Sequence, residues 1–261
     1  MSSKRKYSPY GIYHVIMKGN NQQVIFEEDF DYSQFLATIK YYKEKYVFEV
    51  LAYCLMDNHV HLLISGDLEM ISDVMRSVQV KFVRWYNLKY QRKGHLFQNR
   101  FWSEPVDSPR YMRALHRYIH QNPCRAGLCG LPVEYRWSSA REYEAGRSSI
   151  TDLEMMQSLF STDEALVRHM NNFSSDLLRY YYSDKRVPDN VAIEMIRELT
   201  HFQTVSEIQK LNLEYRNEIL IRILKKIKLS DKQLSRLTGV SIKVIAQLKK
   251  SIEANDLLHT R

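Results

Sequence analysis

Short strand-like runs and longer stretches with three-to-four-residue recurrence follow one another over the first 125 residues. From Gly11 to Lys18, GIYHVIMK has the composition of a strand, and Gly19-Asn20-Asn21 reads as the turn after it. Phe35, Leu36, Ile39 and Tyr42 form an apolar stripe at helical spacing, with Asp29 or Asp31 as its cap. A second predicted strand, from 47 to 56, and a third, from 59 to 65, flank the tight Asp57-Asn58 turn and make a hairpin without the usual glycine. Ile71, Val74, Met75, Val78, Phe82 and Trp85 then recur along one face of a long predicted helix from Leu68 to about Lys89. Gly94 breaks that pattern, and 101 to 106 reads as a fourth strand. Pro109 opens a helix through Tyr111, Ala114, Leu115 and Tyr118, and Pro123 is expected to stop it. The order βαββαβα predicts an α+β fold. It is a ferredoxin-like antiparallel sheet with helices on one side, followed by an all-helical C-terminal region.

After an irregular wrap over 124–150, the pattern turns helical from Thr151 to the end. Within 216–250, Ile219, Leu220, Ile223 and Leu224 line one helix, Ser230-Asp231 caps a short second one, and Gly239 makes a turn. Ser241 then starts a third helix with Val244, Ile245 and Leu248 inward. Three parts are expected: a first domain over 1–150, a helical connector over 151–215, and a small helical module over 216–261.

Charge sharpens that division. Residues 1–150 carry 21 Lys/Arg against 15 Asp/Glu, 151–215 carry 6 against 11, and 216–250 carry 10 against 2. Basic segments are usually only a solvated face, but two of them flanking an acidic one raise the expectation of a polyanionic partner. Three cysteines, Cys54, Cys124 and Cys129, lack metal-binding CxxC spacing and suit reduced thiols in a cytoplasm. The N-terminus is basic without an apolar signal region, and no apolar run of 18 residues exists to span a membrane.

The candidate chemistry begins with His59 and His61. On a strand, residues two apart share a face, so the two imidazoles stand side by side while Val60 and Leu62 turn to the core. Two such histidines make a natural pair of metal ligands, although an isolated HxH is most often only a surface pair. Tyr118 and Asn122 are four apart and so share a helical face. Asn122, placed at the helix end by Pro123, offers a hard oxygen as a third ligand, and a tyrosine hydroxyl beside a metal can attack a phosphodiester. One tyrosine among 18 is otherwise most simply a packing residue. His14, on the first strand, could lie near the site but reads more simply as packed or exposed, and Asp57 serves either the turn or an imidazole.

Five ordered blocks, YHVIMKGNNQQVIF, CLMDNHVHLLI, GHLFQNRFWSEPVD, RYIHQNPCRAGL and VEYRWSSAREY, resemble the HUH single-tyrosine transposases over roughly residues 8–144. The RYIHQNPCRAGL and VEYRWSSAREY blocks are most similar to the REP-associated tyrosine transposases. The resemblance implies that His59 and His61 bind Mg²⁺ or Mn²⁺ with Asn122, where other members have glutamine. It further implies that Tyr118 forms a 5′-phosphotyrosine on single-stranded or hairpin DNA and releases a 3′ hydroxyl. Arg84, Lys89, Arg92, Lys93, Arg100, Arg113 and Arg117 lie in a basic stretch interleaved with aromatics, suited to phosphates and bases. Near the C-terminus, Leu234, Gly239, Val240, Ile245 and Leu248 resemble a DnaA-type helix-turn-helix, which implies Ser241, Lys243 and Lys250 on a recognition helix. The expected protein is a metal-dependent DNA-nicking and strand-joining enzyme, monomer or homodimer. The alternative is a host-adapted regulator that binds hairpins without cutting. A small-molecule hydrolase fits the basic, aromatic surround less well.

Overall fold

A computed structural model describes residues 5–173, 187, 189–202 and 204–258. Of the expected connector, residues 174–186, 188 and 203 lie outside the described residues, as do 1–4 and 259–261 at the ends. The chain divides into two compact units, Met1–Phe173 and Ser174–Arg261.

In the first unit, strands β1 (Ile12–Lys18), β2 (Glu49–Met56), β3 (His59–Ser65) and β4 (Trp102–Pro105) form one antiparallel sheet in the order β2-β3-β1-β4. Alternation decides its faces. Tyr13, Val15, Met17, Tyr53, Leu55, Val60, Leu62 and Ile64 point to one side, where they pack with helices α1 (Asp29–Lys43) and α2 (Leu68–Lys89). Phe35 and Ile39 of α1 and Val74, Val78 and Phe82 of α2 complete that core. Each such large apolar side chain contributes about 1.5–3 kcal/mol on burial. The Asp67 carboxylate accepts from the Glu69 and Met70 amides and so starts α2. On α1 the cap position falls to Glu28. Asp31 sits one turn inside, accepting from the Glu27 and Glu28 amides at 2.7 and 3.2 Å.

Helix α3 (Pro109–Arg125) starts where Ser108 accepts from the Tyr111 amide, and it runs on through Pro123 rather than stopping there. The proline removes the amide that would serve Ile119. The Asn122 carboxamide turns back instead, donating to the Tyr118 and Ile119 carbonyls at 2.8 and 3.5 Å. Asn122 is therefore inside the helix, with its amide nitrogen engaged by the helix's own backbone. Its placement also refines the one-sided picture of the sheet. Helices α1 and α2 cover one face, whereas α3 lies against the other, with Tyr118 beside His14 and His61. Nearly every α3 residue from Tyr111 to Pro123 is buried, because α4 (Ala140–Ala145) and α6 (Asp163–Asn171) pack on its outer side. A short helix, α5 (Glu154–Gln157), links those two. The stretch expected to be an irregular wrap is pinned to β2: the Ser139 amide donates to Tyr53 O, and the Leu55 amide to Trp137 O.

The second unit contains α7 (Asp189–Thr200), α8 (Glu207–Lys210), α9 (Leu213–Lys226), α10 (Asp231–Thr238) and α11 (Ile242–Leu258). Ser230 caps α10 by accepting from the Gln233 amide. Gly239 ends that helix at φ +74°, a left-handed conformation that glycine adopts without steric cost. Ile219, Leu220, Ile223, Leu234, Val240 and Ile245 are buried.

Candidate active site

Residues directly opposite in an antiparallel pair share a face. The register sets Ile16 opposite His61, Lys18 opposite His59, and Cys54 and Met56 opposite His61 and His59 on the other neighbour. On the outer strand, Glu104 stands opposite His14, and Trp102 opposite Ile16. The face turned away from α1 and α2 thus carries His14, Lys18, His59, His61, Trp102 and Glu104 together. Glu104 accepts from the Tyr111 hydroxyl of α3 at 2.9 Å.

Three imidazoles make the centre of this face. The rings of His59 and His61 stand edge to face at 5.0 Å between centroids, and those of His14 and His61 stack at 5.2 Å. His14 Nε2 lies 3.0 Å from His61 Nδ1, and His59 Nδ1 lies 2.6 Å from Asn58 Oδ1. Tyr118 presents its ring edge-on to both His61, at 5.6 Å, and His14, at 6.2 Å. It has 2% of its surface exposed. Burial lowers the His14 pKa to about 3 and, with the charge of Lys18, that of His59 to about 4. His61 is held well below the usual range by burial and then by the neighbouring imidazoles and Lys18. All three are neutral near pH 7, the protonation state in which an imidazole binds a metal.

The donor set fits a divalent ion in part. Two neutral imidazoles on one face can both reach a common ion, given nitrogen–metal distances of about 2.0–2.1 Å. Among the described residues, no group of three His, Cys, Asp or Glu side chains could hold a metal. Any third donor from the protein is therefore of another kind, such as the carboxamide oxygen expected of Asn122. Its amide nitrogen is already committed to the helix.

The predicted basic positions divide by location. Arg84 and Lys89 lie on α2, across the sheet from the histidines, and the Lys89 ammonium pairs with Asp31 and Glu28. Arg117 is buried and Arg113 half-buried on α3. Arg92, Lys93 and Arg100 are exposed on the loop before β4. That loop docks on the turn after β1, where the Asn20 amide donates to Leu96 O at 2.9 Å and Arg92 to Gln23 Oε1 at 2.7 Å; on its other side the Gly19 amide donates to Asn58 O of the β2–β3 turn at 2.8 Å. A Cβ on Gly19 would come within 2.1 Å of Gln23 O, so only glycine permits this approach. In the helical unit, Ser241, Lys243 and Lys250 are all exposed at or on α11.

Three residues of the face escape a reading by sequence alone. Asn58, not Asp57, holds the His59 ring, while the Asp57 carbonyl accepts from Ile25 and Phe26. His14 and Lys18 had the alternation of strand residues as their signal, but only the β1–β3 register brings them beside the histidine pair.

Residues 9–122 match the family of IS200-like transposases. The matched stretch takes in β1 to α3 and ends at Asn122, so it includes His59, His61 and Tyr118. Among solved structures, the chain is similar to a REP-associated tyrosine transposase bound to a REP hairpin. That match has 20% identity and a TM-score of 0.46, and covers 58% of this chain and 91% of that one. A transposase structure from Deinococcus radiodurans, itself assigned by inference, matches at 22% identity and a TM-score of 0.32 over 46% of this chain and 97% of that one. Comparison with curated proteins gives no match.

Proposed function

We propose that the first unit is a transposase-like enzyme that nicks and rejoins single-stranded DNA through Tyr118. The observation carrying this reading is the seam between α3 and the sheet, where Tyr118 meets His61 and His14 edge-on. The match to IS200-like transposases over residues 9–122 supports it. His59 and His61, with Asn122 as third donor, would hold Mg²⁺ or Mn²⁺. When bound there, such an ion would supply Lewis-acid polarisation of a phosphate and offset charge on its oxygens. Attack by the Tyr118 oxygen forms a P–O bond to the 5′ side and breaks the P–O3′ bond, and the departing 3′ oxygen takes up a proton. One phosphoester replaces another, so a 3′ hydroxyl can reverse the step without ATP.

Lys18 stands on the histidine face, and Arg92, Lys93 and Arg100, exposed on the loop before β4, would supply further phosphate contacts. Trp102, 41% exposed on the same face, offers a surface on which a base can stack. The second unit is read as a helix-turn-helix of the DnaA type. Ser241, Lys243 and Lys250 would contact DNA, phosphates adding affinity and base edges specificity.

A hairpin-binding regulator that does not cut is the second reading. Two observations favour it: Tyr118 is almost fully covered, and the Asn122 amide is turned back on its own helix. A denaturing-gel assay separates the two. Labelled hairpins from the flanks of this protein's gene are incubated with wild type and Tyr118→Phe, with Mn²⁺ or EDTA. An SDS-stable adduct that needs both metal and Tyr118 is expected. Tight binding without an adduct under either condition would overturn the cutting reading.

A further inference from the structure

We infer that Asn58 and His14 are positioning residues that set which nitrogen of His59 and of His61 carries a proton: Asn58 leaves His59 Nε2 open to a metal ion, and His14 ties the opening of His61 Nε2 to a change of tautomer. The inference rests on the metal-binding reading of His59 and His61 given above.

A neutral imidazole carries one N–H, and only its other nitrogen can bind a metal. Asn58 Oδ1 is an acceptor without a proton. At 2.6 Å it takes the Nδ1–H of His59, which leaves the lone pair on Nε2. A metal-bound histidine typically donates its second ring N–H to such an acceptor, which fixes both tautomer and ring angle. His59 is therefore preset as a ligand.

His61 is arranged differently. Its Nδ1 faces His14 Nε2 at 3.0 Å, and two neutral rings share one proton across that contact. If His61 donates, His61 Nε2 is free for metal, but the His14 proton sits on Nδ1. That atom is buried and has no partner. If His14 donates, its Nδ1 is a bare acceptor, which is the less costly of the two orphans, but His61 Nε2 then carries a proton and cannot ligate. The metal-free pair thus favours the form closed to metal, and binding draws the shared proton onto His61 Nδ1 while the His61 Nε2 proton leaves and His14 Nδ1 takes one up. One ligand is ready, and the other is coupled to a proton shift in its neighbour.

Two measurements on the full chain test this. Long-range ¹H–¹⁵N NMR of ¹⁵N-histidine-labelled protein reads each tautomer directly. The expected result is Nδ1–H on His59 with and without Mg²⁺, and a change on His61 from Nε2–H to Nδ1–H as Mg²⁺ is added. Nε2–H on His59, or an unchanged His61 at saturating Mg²⁺, overturns the inference alone. Mn²⁺ affinity by electron paramagnetic resonance supplies the second measurement. Asn58 is only half-buried, so Asn58→Ala leaves the core intact. It should weaken Mn²⁺ binding about 10- to 100-fold, with Asn58→Asp restoring it. His14→Gln, whose carbonyl oxygen accepts the His61 Nδ1–H without leaving a buried N–H unpaired, should bind Mn²⁺ more tightly than wild type; equal or weaker binding would sink the role of His14. Equal affinity in wild type and Asn58→Ala, while His59→Ala abolishes binding, sinks the positioning role but spares the metal site. Mn²⁺ binding that is absent, or indifferent to His59→Ala, sinks the metal reading and the inference with it.

Discussion

Helix α3 separates two groups of buried histidines, and their difference is instructive. On the sheet side, His59 and His61 each have a ring nitrogen within hydrogen-bond distance of a defined partner, and the group meets Tyr118 and reaches the surface at His59. On the outer side, His116 and His120 pack against Tyr143 at 4.6 and 5.8 Å between ring centroids. His120 Nε2 meets Ser139 Oγ at 2.6 Å, but both nitrogens of His116 are buried without a partner. Burial lowers the pKa in both groups. Neutral buried imidazole is thus no mark of function here. What distinguishes the first group is a hydrogen-bond frame on a face continuous with solvent.

The largest effect that would break this contrast is at the nucleophile. Tyr118→Phe should abolish covalent adduct formation while leaving hairpin binding within about twofold, read on denaturing and native gels; retained adduct in Tyr118→Phe would move the chemistry elsewhere. Next come His59→Ala and His61→Ala, which should each reduce Mn²⁺ affinity at least 100-fold. His116→Leu should leave it unchanged.

Acid acts on both groups. The unfolded chain protonates its histidines near the ordinary 6.5, whereas the folded chain does so only near 3 for His14 and His120 and near 4 for His59. Between those values the unfolded state binds more protons, so stability falls as pH drops below 6.5. Trp85, Trp102 and Trp137 all lie in the first unit, so tryptophan fluorescence follows this unit specifically. The urea midpoint should be clearly lower at pH 5 than at pH 7, and equal midpoints would contradict the neutral-histidine picture.

A moderate effect is expected at the rim of the sheet. Trp102→Ala should weaken single-stranded DNA binding by about 1–3 kcal/mol, the contribution of one stacked base, with little loss in melting temperature. The smallest change should be a gain. His116→Leu removes two unpartnered buried nitrogens and is expected to raise the melting temperature by about 2–4 °C, equivalent to about 1 kcal/mol in a unit of this size.

Much of the fold was readable from pattern alone. The bounds of α2 and β3, the Ser230 cap and the Gly239 turn rest on local chemistry: helical spacing, strand alternation, a hydroxyl at a helix start and a left-handed glycine. The same alternation separated His59 and His61 from Val60 and Leu62, because a strand's two faces are a property of its backbone. Tertiary structure decided the rest. Pro123 was a fair stop signal, overridden because the Asn122 side chain reaches back to the Ile119 carbonyl left open by the proline's missing amide, in the last turn of a buried helix. Lys89 was a phosphate contact by composition, but α2 packs on the far face and Asp31 holds its ammonium. His14 was one histidine among 9 until the β1–β3 register laid it against His61. Faces follow from local periodicity, whereas neighbours across strands and helices follow from packing, which no single segment encodes.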